Sequence, residues 1–179
     1  GRRTISAMMS QPEKKVEERW VEMEVKGLIL DPASETPVLL LRAVTGKVVL
    51  PIWIGQVEAN AIAMALEGIR EPRPMTHDLM QGILLELAVE LRRVEIWALR
   101  EGTFYGRLCL FRAEKEHLVD ARPSDAIAMS VRTGAPILVA QTVIEEALRG
   151  DLATAGEEDE RLREWLEKVR LEDLGKYTM

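Results

Sequence analysis

VVLPIWIGQVEANAIAMALEGIREPRPMTHD, residues 48–78, decides how the rest of the chain is read. It opens as an apolar strand, breaks at Gly55, continues as a helix of unusually small residues, and ends in a loop bracketed by Pro72 and Pro74 that delivers His77 and Asp78 to a second helix. At 100° per residue, Gln56, Asn60 and Glu67 fall within about 60° of one another. Alanine, Val57, Ile62, Met64 and Leu66 occupy nearly all the remaining circumference, which predicts a helix buried on most sides. Glu58 is the odd residue there, roughly 160° from Asn60 on otherwise apolar surface. With Gly55 as N-cap it stands at N3, where a carboxylate can bond back to the cap N–H and meets the positive helix end. That capping role and a catalytic role are both open to it.

Upstream, the alternation from Trp20 through Val25 to Leu30 predicts a strand, PVLLLRAV from Pro37 a second and KVVLPIWI a third, joined as an antiparallel meander. Pro51 lacks a ladder donor, so the third strand is expected near an edge, a bulge or its own end. Downstream, THDLMQGILLELAVEL predicts a helix with Thr76 as N-cap and Leu79, Ile83, Leu84, Leu87 and Leu91 as its core stripe. RVEIWALR and TFYGRLCLFR form a hairpin about Glu101-Gly102, and HLVD is a short strand. A helix from about Pro123 to Thr133 is closed by Gly134, then come a strand APILVA and a helical TVIEEALRG. The tetrapeptide AIAM occurs at 61–64 and again at 126–129, in two alanine-rich helices able to pack closely.

The fold class is therefore α+β: a mostly antiparallel sheet of hairpins packed with several helices, plus a C-terminal amphipathic helix. Residues 1–18 read as a tail, 19–150 as the domain, and 151–179 as a linker and an acidic helix whose Leu162, Trp165, Leu166 and Val169 share one face. At 47% hydrophobic residues and 179 residues in all, the chain can bury a full core. No apolar run reaches the roughly 18 residues of a membrane span. One cysteine, Cys109, excludes an intrachain disulfide and, with no signal-like segment, points to the cytoplasm; within an apolar strand it reads as a core residue. Of the net charge of −6, residues 145–179 carry −5, with 11 acidic and 6 basic side chains, so the remainder is nearly neutral. That excludes a broad basic stripe for duplex binding, though not a small phosphodiester site. His77 and His117, 40 residues apart, do not make a zinc pattern with one cysteine, and His117 reads as a surface or strand-end residue.

LPIWIGQVEANAIAMALEG, RPMTHDL, EGTFYGRL and VDARPSDAIAMSVRTGAPILV, in that order, resemble the bifunctional nuclease family, a bacterial and plant domain. The resemblance spans roughly Met23 to Ala147 and implies an α+β domain, an oligomer (a dimer is favoured) and nuclease activity on DNA and RNA.

Phosphodiester hydrolysis needs charge stabilisation at phosphate and an activated water. Within the matched blocks, His77, Asp78, Glu58 and Asp125 are the candidate catalytic residues, and Arg122, Ser124, Arg73 and Arg107 the candidate substrate contacts. Asp78 and Asp125 are candidate ligands for a divalent cation, Mg²⁺ or Mn²⁺. Structural readings stand beside these: Thr76 and Asp78 as a helix start with His77 solvated, Arg122 as part of a helix cap, and Thr103, Tyr105 and Arg107 as a cross-strand polar face. The rival to a nuclease is a non-enzymatic oligomeric binding or regulatory module. The functional expectation is narrow: the Arg73–Asp78 loop forms a site if the Arg122–Asp125 segment comes to meet it.

Overall fold

The computed structural model describes residues 17–150 and the short strand Thr154–Ala155. The expected C-terminal helix and nearly all of the expected N-terminal tail lie outside these residues. β1 (Trp20–Leu30), β2 (Pro37–Ala43) and β3 (Val48–Trp53) form the expected antiparallel meander. α1 (Gln56–Leu66) and α2 (Thr76–Glu86) lead to a second meander of β4 (Glu90–Arg100), β5 (Thr103–Arg112) and β6 (Lys115–Ala121). α3 (Pro123–Thr133), β7 (Ile137–Ala140), α4 (Gln141–Arg149) and β8 (Thr154–Ala155) complete the described chain.

The strands make one sheet in the order β6-β5-β4-β7-β1-β2-β3-β8. β7 is the seam: it runs antiparallel to β1, from Trp20↔Ala140 to Met23↔Ile137, and parallel to β4, from Val94↔Ile137 to Ile96↔Val139. The molecule is thus α+β with a mostly antiparallel sheet. Pro51 fits this layout because, among the described residues, β8 pairs with Val48 and Val49 and no strand pairs with the far side of β3 at the proline.

α3 is the helix the core is built on. Pro123 opens it at N1, where no N–H is needed, and Gly134 closes it with φ +77° and an N–H bond to the Ser130 carbonyl of 2.8 Å. Residues Ala126 to Ser130 are all buried, and Ile127 and Met129 join Val94, Ile96, Leu108, Val139 and Ile144 in the main apolar cluster. α1 packs on α3, but only Ala59 and Ile62 are buried on it, while Val57 is 77% exposed. The near-complete burial expected of α1 is therefore corrected: one face meets α3 and β2, and the other stands open.

α2 departs further from expectation. It stops at Glu86, and of its predicted stripe Leu84 and, already in β4, Leu91 pack partly against the core, whereas Leu79, Ile83 and Leu87 are exposed. Periodicity assigns residues to a common face without saying what that face meets. The one buried residue on α2 is His77.

The start of α3 is located by a glycine. A Cβ on Gly106 in β5 would lie 2.9 Å from the Ala121 carbonyl oxygen and 3.2 Å from Pro123 backbone atoms. Neither neighbour is a flexible side-chain tip, so Gly106→Ala must push β6 and the α3 N-terminus away from β5. It is expected to cost about 1–3 kcal/mol, read as a lower urea midpoint at unchanged slope. Cys109 is fully buried, and burial first, then the nearby Glu95 carboxylate, push its thiol up to about 12. It is the inert core residue its context predicts. His117 is exposed on β6, also as expected.

Candidate active site

Four of the eight candidate residues come together, and they come from the first turns of three helices. His77, second in α2, is buried and places its Nε2 2.9 Å from Asp125 Oδ1, 48 residues along the chain. Asp125, third in α3, accepts a second bond at Oδ2 from Arg122 Nε, at 2.8 Å. The same guanidinium donates from Nη1 to Glu58 Oε1, third in α1, at 2.8 Å. The Arg122–Asp125 segment thus meets the loop that ends at Asp78, and three positive helix ends point into one small volume.

The electrostatics keep the carboxylates charged. Burial of Asp125 opposes ionisation, but the bonds from Arg122 and His77 outweigh it and hold the carboxyl below its ordinary value. Glu58 is lowered by its own backbone N–H and by Arg122. Arg122 is raised by Asp125 and Glu58, so it stays a cation throughout. An anionic Asp125 accepts the proton of His77 Nε2–H, which selects the tautomer with its lone pair on Nδ1.

The capping expectations need two corrections. α2 is capped by Met75, not Thr76: the Met75 N–H donates to Asp78 Oδ2 at 3.0 Å. Glu58 does not bond back to Gly55. Its carboxylate folds over that glycine, where a Cβ would lie 2.1 Å from Oε2, stays on its own first-turn N–H and also accepts from Arg122. His77 is not solvated either; the 100° step between neighbours on a helix sends it inward to Asp125 and sends Asp78 elsewhere.

Asp78 Oδ1 accepts from Arg132 Nε at 2.8 Å, and this bond first, then the Met75 N–H, lower its carboxyl against the effect of burial. Arg132 also donates to the Ala128 and Ala61 carbonyls, so it ties α1, α2 and α3 together. It was not among the candidates, although its place seven residues after Asp125 puts it on the same helical stripe. Asp78 and Asp125 therefore turn to different arginines, and among the described residues no group of three or more His, Cys, Asp or Glu side chains is set to hold a metal ion. The donors present do not make a preformed cation cage. Arg73 is exposed on the proline loop and makes no ion pair among the described residues. Arg107 belongs to another group: it bonds Glu95 on the sheet face opposite Val94 and Ile96, which the helices cover. Its row is the cross-strand face, with Tyr105 against Trp97 at 5.9 Å between ring centres.

Two clefts flank the cluster. The larger, about 540 Å³, is lined by the proline loop, Gln81, Asp78 and Arg132, the last two paired with each other. The smaller, about 370 Å³, shares Arg122 with the cluster and includes Trp53, Gly55, Thr103, Phe104 and Ser124.

Residues 39–149 match the Bifunctional nuclease domain. The chain belongs to that family. An uncharacterized protein of Mycobacterium tuberculosis is 41% identical over 161 residues, covering 85% of this chain and 96% of that protein. Bifunctional nuclease 1 of Oryza sativa is 28% identical over 112 residues, 61% of this chain and 34% of its own length, so the chain spans about a third of that relative. The family match contains all of α1, α2 and α3, and with them every residue of the converging cluster. Among the described residues no helix is long and apolar enough to cross a membrane.

Proposed function

We propose that this chain is a nuclease that hydrolyses phosphodiester bonds of DNA and RNA at the His77–Asp125–Arg122 cluster. The observation that carries the reading is the His77 Nε2–Asp125 Oδ1 contact, which couples an imidazole to a charged carboxylate in a chain of this family. In this mechanism His77 Nδ1 takes the proton of a water as its oxygen forms the bond to phosphorus. The bond to the leaving oxygen breaks in the opposite direction, and that oxygen is reprotonated from solvent. Arg122, with Nε and Nη1 held by carboxylates, offers Nη2 to the non-bridging oxygens as charge accumulates there. A divalent cation, Mg²⁺ or Mn²⁺, would be held by the substrate phosphate with Asp125 or Asp78 and would supply charge stabilisation at the phosphate.

The test is cleavage of end-labelled single-stranded DNA and RNA, with Mg²⁺, Mn²⁺ or EDTA, by the wild type and His77→Gln purified identically. Equal cleavage by both proteins would assign the activity elsewhere.

A second property is favoured by a separate observation. Leu66, Ile69, Met75, Leu79, Ile83 and Leu87 are exposed large apolar residues of α1, α2 and their connections. Leu79 and Ile83 lie one helical turn apart on α2 and so share a face; exposed apolar surface of this kind marks an association face, and we propose that a second copy of the chain covers it as a homodimer. Light scattering is expected to give twice the chain mass for the wild type, and Leu79→Glu with Ile83→Glu to give the monomer. A monomeric wild type removes this proposal and leaves the nuclease reading intact.

A further inference from the structure

The cleft beside the cluster holds a polar group with no partner among the described residues. Ser124 is 6% exposed and lines the cleft, yet its hydroxyl makes no hydrogen bond among the described residues. A buried hydroxyl without a partner is costly, and one facing a cavity calls for a ligand acceptor. Ser124 and Asp125 also stand before the first intrahelical bond of α3, from Ala126 N to Arg122 O, so their N–H groups are open to an anion at the helix N-terminus. Arg122 Nη2 adds a charged donor at the same rim.

The other wall is aromatic. Trp53 ends β3, is 43% exposed, and has its indole N–H tied to Asp31 Oδ2 at 3.0 Å. The ring is fixed at its polar edge while much of its surface stays open. Phe104 and Thr103 from β5 complete this side. At about 370 Å³ the cleft lies near the small end of ligand sites, which run from roughly 300 to 1,000 Å³. Donors at one end and an immobilised indole at the other fit a phosphate joined to a flat ring.

We propose that this cleft is a subsite for one unpaired nucleotide, with its phosphate on the Ser124 hydroxyl, the α3 N-terminus and Arg122 Nη2, and its base stacked on Trp53. An unpaired base is required because stacking needs an open π-face, which makes the nuclease selective for single strands. The subsite rests on the nuclease reading for its role, but its occupancy is measured without turnover.

Dissociation constants for adenosine 5′-monophosphate, adenosine and inorganic phosphate are to be obtained by NMR titration. The monophosphate is expected to bind at least about tenfold tighter than either fragment. Trp53→Leu should erase that advantage while leaving phosphate binding unchanged. Trp53→Phe, which keeps an aromatic face, should retain most of it. Ser124→Ala should weaken the monophosphate and phosphate alike, with an unchanged melting temperature showing that the fold is intact. Equal affinity for phosphate and the monophosphate, no monophosphate binding, or indifference to Trp53→Leu would each overturn the subsite. His77→Gln is expected to bind the monophosphate like the wild type. Binding with no cleavage by any form removes the nuclease reading and supports the subsite. His77-dependent cleavage with no monophosphate binding does the reverse.

Discussion

Glu95→Ala is expected to be among the most destabilising single changes in this domain, at about 3 kcal/mol, where breaking a buried pair generally costs 3–5 kcal/mol. Glu95 is 2% exposed and receives Arg93 Nε at 2.7 Å and the Arg107 guanidinium, one from its own strand and one from across the hairpin. Truncation removes the anion shared by the two arginines; Arg93 keeps Glu116, at 2.7 Å from its Nη1, while Arg107 loses its carboxylate. The arginines are 28% and 26% exposed, so water partly replaces the lost partner, which places the estimate at the lower end of the range. Burial resists the charge on Glu95, but the bonds from Arg107 and Arg93 prevail and its carboxyl titrates below the ordinary 4.5. A carboxyl whose folded value is depressed stabilises in full above its unfolded value and loses that contribution as pH falls towards the folded one. The wild type should therefore lose stability below about pH 4.5, and Glu95→Ala should show a shallower acid limb. Urea midpoints at pH 7 and pH 3.5 check both statements. An unchanged midpoint at pH 7 would mean that the pair contributes nothing net.

Glu95 also shows where reading from sequence stops. The Glu101-Gly102 turn predicted the hairpin, and Arg100↔Thr103 and Ala98↔Tyr105 follow from it by counting. Continued without interruption, the count opposes Glu95 to Leu108. A bulge between Ile96 and Ala98 shifts the register by one residue and brings Glu95 to Arg107 instead. A one-residue shift exchanges partners and faces, and no local signal in RVEIWALR announces it. β7 is a similar case. Its strand character was legible, but its insertion between β4 and β1, one neighbour parallel and the other antiparallel, depends on α3 carrying the chain back across the sheet.

The helices divide differently. Pro123, Gly134 and the run of small residues made α3 legible to its ends, because those residues act through local backbone conformation. The burial of α1 and α2 was not legible, because an apolar stripe is the same in sequence whether it meets a core or stands at the surface. Candidate residues followed the same division. Glu58, His77, Arg122 and Asp125 lie at helix starts whose positions were predictable, and their convergence needed only that three helices pack with the same ends together. Arg132 escaped notice because a basic residue in a last helical turn has an adequate local role with the dipole. Its bonds to Asp78 and the Ala61 carbonyl are long-range.

Replacing His77 by Gln is expected to lower kcat for single-stranded cleavage by about 10² to 10⁴, the usual contribution of a positioned general base. Glutamine keeps much of the buried volume and can still donate to Asp125, so the fold should hold. Asp125→Asn tests the other half of the pair. It retains the shape at Asp125 but removes the charge that anchors His77 Nε2–H and Arg122 together. If Asp125 acts by fixing the imidazole tautomer, kcat falls while KM changes little, since the substrate contacts at Arg122 Nη2 and Ser124 persist. If its part is only to brace Arg122, KM rises and kcat is spared. The pH–rate profile separates chemistry from scaffolding in a way that a melting curve cannot. An imidazole base imposes a rising limb on kcat/KM, and that limb must vanish in the residual activity of His77→Gln. A limb that persists there would place the base elsewhere and leave the His77–Asp125 contact as a strut between α2 and α3.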